Sequence, residues 1–164
     1  METTIGYIVI FGLGILFSLF YLFGKEKQRR LPIAQQTYPQ LQLTVLITKE
    51  KRKVTALILE LLPLKNNLLV NTLALELTDK QHGRKTIDLN AYLLPEDNLE
   101  LVAGKKISLA LRFDDFLQEL EDAKFPFETF RMVAVAPGNK KFKSKILGYH
   151  PRWGIYKADS GNYN

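Results

Sequence analysis

The carboxylates Asp114, Asp115, Glu119, Glu121 and Asp122 crowd into one short stretch of the chain. Paired carboxylates can move protons or hold a divalent cation. Here their spacing is helical, so they read as a solvated helix face. Asp114 and Asp115 would stand in the first turn, where the helix dipole favours negative charge. Glu96 and Asp97 read as turn residues. His82 sits in the turn-like Lys-Gln-His-Gly-Arg run, and His150 precedes Pro151-Arg152-Trp153. A lone histidine without a nucleophile or a second ligand does not make a site.

There are no cysteines. This excludes a disulfide framework, a zinc–thiolate site, an iron–sulfur cluster and a cysteine nucleophile. Serines are few: Ser18, Ser108, Ser144 and Ser160. No glycine-rich phosphate loop follows a strand-like run, and Gly12-x-Gly14 falls inside an apolar stretch. No N-x-S/T glycosylation acceptor occurs. The expectation is a protein that is not an enzyme, with no catalytic residue, no cofactor and no metal.

Charge is the more informative property. The net charge is +6, unevenly spread. Residues 60–128 carry 13 acidic and 8 basic side chains; residues 129–157 carry 7 basic and none acidic. Such asymmetry speaks of partners rather than of fold. The basic stretch interleaves Lys140, Lys141, Lys143, Lys145 and Arg152 with Tyr149, Trp153 and Tyr156. These eight are the candidate partner-binding residues, with the aromatics as anchors on the acidic surface of another protein. The same run could lie on anionic headgroups, bind nucleic acid or form a solvated strand edge. No nucleic-acid motif is present, so nucleic acid is not an expected partner.

The elements that would carry these residues follow from periodicity. Residues 5–23 contain no charge and are apolar all round. At about 1.5 Å per residue they reach roughly 28 Å, close to the hydrocarbon thickness of a bilayer. Positive charge does not precede the run, and no A-x-A pattern follows it, so it reads as an uncleaved transmembrane helix. Lys25, Lys27, Arg29 and Arg30 flank it on one side, which predicts the N-terminus outside and the following domain cytoplasmic, or in an equivalent compartment such as a matrix. Gly14 and Ser18 share one helical face and could pack against another helix.

Residues 31–40 hold two prolines and read as a linker. Leu41, Leu43, Val45 and Ile47 then alternate at period two, a half-buried strand, and residues 49–53 (KEKRK) read as an exposed hairpin tip. Residues 54–62, the 73–77 alternation, 84–93, 107–113, 130–137 and 140–149 are further candidate strands. Phe113, Phe116, Leu117 and Leu120 instead follow helical spacing, predicting an amphipathic helix over about 113–124.

About seven short strands with turns between them suggest an immunoglobulin-like β-sandwich. The expected layout is a membrane anchor over 1–24, a basic juxtamembrane segment and linker over 25–40, a mainly β domain over 41–157 and a polar tail over 158–164. The expected function is a non-enzymatic, single-pass membrane-anchored subunit of a larger membrane assembly. It would contact the bilayer through residues 5–23 and bind other subunits through its β-domain and basic C-terminal segment. The alternative is a standalone membrane tether or sensor that binds anionic lipid or nucleic acid electrostatically.

Overall fold

The structure is a computed structural model that describes residues 29–94, 98–152 and 154–158. The predicted anchor, with Gly14, Ser18, Lys25 and Lys27, lies outside the described residues, as do Glu96, Asp97 and Trp153. Among the described residues no helix is long and apolar enough to cross a membrane.

The chain is mainly β. Leu41, Leu43, Val45 and Ile47 do alternate on one face of a strand, and all four are buried. They belong to a four-stranded antiparallel sheet in the order β1 (Arg29–Thr37), β2 (Leu41–Glu50), β3 (Lys53–Pro63), β8 (Ile107–Arg112). Register places Leu43 opposite Leu61 and Val45 opposite Leu59, so the buried faces of β2 and β3 coincide. The hairpin tip is a two-residue turn in which Lys51 and Arg52 both adopt positive φ, 46° and 69°. Two such residues twist the loop to match its flanking strands.

The second sheet follows the path β12 (Gly154–Lys157), β11 (Leu147–His150), β9 (Thr129–Ala136), β5 (Thr72–Asp79), β6 (Gly83–Asp88), with β10 (Lys140–Lys143) also paired to β9. Its inward face presents Leu73, Leu75, Leu77, Phe130, Met132 and Ala134. These join the inward leucines of the first sheet in a single hydrophobic cluster. A small ladder pairs β4 (Leu68–Val70) with β7 (Leu99–Leu101).

Two helices complete the fold. The short α1 (Asn90–Leu93) is tied to β5 by Asn90, whose Oδ1 accepts the Leu73 N–H at 2.7 Å. The predicted amphipathic helix forms as α2 (Phe113–Ala123), with Asp114 and Asp115 in its first turn. It buries Phe116 and Leu120 beneath an aromatic cluster of Phe113, Phe130 and Tyr149. Lys85 Nζ donates to the Ala123 carbonyl at 2.6 Å, a cation at the negative end of the helix.

Three expectations need correction. The segment read as a linker is β1, which lacks alternation because Pro32 and a bulge between Pro32 and Ala34 break its period. The strand expected over 140–149 is two, β10 and β11, and a further strand, β12, follows. The strand expected over 84–93 stops at Asp88, where Asp88 Oδ1 accepts the Asn90 N–H and α1 begins. The strand order also departs from the immunoglobulin arrangement. Here β1, β2 and β3 stay together in one sheet, whereas an immunoglobulin domain sends its third strand across to the other.

Candidate protein-binding interface

β1 and β12 are the outer strands of their sheets, and they face each other across a groove. Its volume is about 630 Å3. One wall is Pro32 to Gln36 of β1; the other is Ser144, Lys145 and Ile146 with Lys157 and Ala158. Among the described residues, β1 pairs with β2 alone and β12 with β11 alone. The groove therefore has the free edge of β1 as one wall, and the connection between β10 and β11 with the end of β12 as the other. The two charged residues that line it, Lys145 and Lys157, are both cationic.

One end of the groove is stapled. Tyr38, in the turn from β1 to β2, donates its hydroxyl to the Lys143 carbonyl at 2.8 Å and accepts the Lys143 N–H at 2.9 Å. Its ring meets Phe142 edge-on at 5.4 Å. Lys140 Nζ donates to Gln40 Oε1 of the same turn. Ser144 holds the opposite wall: its Oγ accepts the Met132 N–H and donates to the Lys145 carbonyl. The walls are thus fixed by hydrogen bonds to both sheets, which preorganises the opening.

On the outer face of the second sheet lies a charge cluster. Glu76 is only 8% exposed. It stands opposite Arg131 in the ladder and receives its Nε at 2.7 Å; a second bond comes from Arg131 Nη2, and Lys143 Nζ lies 3.1 Å from its other oxygen. Burial alone would raise the carboxyl pKa. The hydrogen bonds from Arg131 and Lys143 outweigh that and hold it below its ordinary value of 4.5. Beside this cluster Thr78, Arg84, Thr129 and Arg131 line a cavity of about 90 Å3, and Ile146 lines both this cavity and the groove.

The predicted partner-binding residues separate into distinct environments. Lys141 and Lys145 are exposed, and Lys145 lines the groove. Lys140 is exposed and sits 5.5 Å from the Phe142 ring centre. Lys143 is engaged with Glu76. Tyr149 is packed on Phe113, Phe116 and Phe127, with its hydroxyl pKa raised by burial and by Glu121. Tyr156 is 43% exposed and covers Gly148, where a β-carbon would fall 2.2 Å from its ring. Arg152 is exposed, and its N–H donates to His150 Nδ1 at 3.2 Å. Arg29 and Arg30 open β1 and are exposed.

The carboxylates and histidines are placed as surface groups. Asp114 lies 3.9 Å from Arg112, both well exposed. Glu119 accepts the Tyr92 hydroxyl at 2.8 Å. His82 Nδ1 lies 2.6 Å from Asp79 Oδ1, which also accepts the N–H groups of Gln81 and His82; these bonds lower the Asp79 pKa. Among the described residues no group of three or more acidic or histidine side chains is arranged to hold a metal.

Sequence reading missed Tyr38, Lys157 and the β1 wall. It also missed Glu76, although the signal was visible: a single acid within Leu73-Ala74-Leu75-Glu76-Leu77 must leave the leucine face and find a cation.

No family model matches the chain, and no curated protein matches it. Among solved structures, the chain is similar to one titled "X-ray structure of Northeast Structural Genomics Consortium target SoR45". The identity is 9%, over 84% of this chain and 89% of that one, with a TM-score of 0.28.

Proposed function

We propose that this protein is a non-enzymatic, membrane-anchored subunit of a larger assembly, whose β-domain binds a partner protein. In this reading residues 5–23 span the bilayer, and the two sheets form a sandwich. That sandwich is immunoglobulin-like in having two antiparallel layers over one core, though not in strand order. The observation that carries the reading is the groove beside the free edge of β1, with Lys145 and Lys157 on its other wall. An extended segment can add to such an edge through main-chain hydrogen bonds, and pockets beside it then select the side chains. With two cations and no acid on its walls, the groove fits an acidic segment.

The test is purification of the full-length protein in mild detergent, washed at low and then high salt. Native protein is expected to retain stoichiometric partners, and Lys145→Glu/Lys157→Glu to lose them while melting at the native temperature. Unchanged recovery by that variant would remove the groove as the contact. A native protein that elutes alone would remove the subunit reading. Lys143 is unsuitable for charge reversal, because Glu76 would then face a second carboxylate in a buried site.

A further inference from the structure

The topology gathers cations from three distant parts of the sequence at one end of the domain. Arg29 lies opposite Lys49, and Arg30 opposite Thr48. From Lys49 the hairpin continues through Glu50, Lys51, Arg52 and Lys53, with only Lys49 less than fully exposed. The turn between β11 and β12 comes to the same end: a β-carbon on Gly154 would sit 3.5 Å from a Val54 methyl, and Arg152 lies in that turn, exposed. Against these cations stands one acid, Glu50. None of them forms an ion pair with a described residue.

We propose that this basic end is a lipid-docking surface that sets the domain tip-down on an anionic leaflet. The proposal rests on reading residues 5–23 as the membrane span. Five residues, 24–28, separate that span from Arg29. Fully extended, the six links reach at most about 20 Å. The basic end is therefore held close to the headgroups, and the hairpin needs to cover only a short remaining distance for its cations to act within a Debye length of about 8–10 Å. Residues 49–53 of the hairpin are lysine, arginine and glutamate alone, so the hairpin lacks the stacking face that single-stranded nucleic acid uses. Docked this way, the wall from Pro32 to Gln36 stands farther along β1, and the groove stays open sideways to a partner.

The chain has no cysteine, so Glu50→Cys supplies a unique thiol at the tip. Full-length Glu50→Cys protein is placed in nanodiscs of phosphatidylcholine alone or with about 30% phosphatidylserine, and labelled with an uncharged polymer maleimide. Labelling is expected to be about fivefold slower on the anionic discs and to recover near 0.5 M salt. Adding Lys51→Asn/Arg52→Gly should shrink the difference below about twofold. That pair suits the positive-φ turn better than the native residues, so lost docking cannot be lost folding. Asn66→Cys, in the turn after β3, should label equally on both discs. Equal labelling of Glu50→Cys on the two discs overturns the proposal, as does protection unaffected by Lys51→Asn/Arg52→Gly. Flotation with phosphatidylcholine vesicles at high salt tests the anchor separately. Protein that fails to float there, yet is protected by anionic lipid, would remove the span and keep the docking surface.

Discussion

Glu76 shows how one carboxylate joins three strands. It extends from β5 on the outer face of its sheet, yet the stems of Arg131 on β9 and Lys143 on β10 cover it. Its pKa is lowered on folding, so its contribution to stability is present above 4.5 and lost as pH falls through the lower folded value. Glu76→Gln is expected to cost about 2–3 kcal/mol at neutral pH, because two cations lose their counter-charge. The melting temperature should fall by roughly 6–12 °C. The difference from native should narrow as the pH is taken below 4.5, measured by thermal melts across pH. A constant difference would mean that Glu76 acts through packing alone. At Gly148 the expectation is different. Tyr156 occupies the space of a β-carbon, and it is the ring's outer atoms that would clash. Gly148→Ala should therefore swing the ring away and cost about 1 kcal/mol, but almost nothing when Tyr156 is already alanine. Equal costs in both backgrounds would place the strain in the backbone instead.

Among the elements, α2 ends in a way that leaves room for improvement. Its C-terminal cap, Lys124, is left-handed at φ 47°, a conformation glycine adopts without cost. Lys124→Gly should raise stability by about 0.5–1 kcal/mol in urea unfolding, with the slope unchanged. A decrease would show that the lysine stem packs usefully. This helix was legible in the sequence because Phe113, Phe116, Leu117 and Leu120 keep a strict period, and three of the four are buried or lie at the aromatic cluster. Strand β2 was legible for the same reason, through its four alternating residues. β1 was not, because its period is broken at the bulge and it owes its order to pairing with β2. Nor was the break between β10 and β11, since Ser144 turns the chain by bonding Met132 and Lys145 rather than through glycine or proline. The candidate groove was half legible. Lys145 was picked out by charge, while the facing wall came from a segment with no pattern to read.

At the scale of the whole molecule, the proposed function requires an open edge that receives a partner strand without pairing with a second copy of itself. Free edges invite self-association unless something interrupts them. β1 carries such interruptions: Arg29 and Arg30 at its start, Pro32 without an N–H, and the bulge that follows. A proline is tolerated in a strand where its missing donor would have faced outward, which is the position of an edge. Deleting Ile33 would bring Pro32 and Ala34 into continuous register against Leu46 and Val45, and Pro32→Thr would restore the donor. The combined variant should then present an even edge of eight residues, free of the proline and the bulge. We expect it to self-associate about tenfold more strongly than the native chain by sedimentation. On the proposed function it should also lose partner selectivity, because any extended segment could then pair along the whole edge instead of only beside the lysine-lined groove. Unchanged sedimentation would mean that the groove walls, and not the bulge, keep the edge from its own kind.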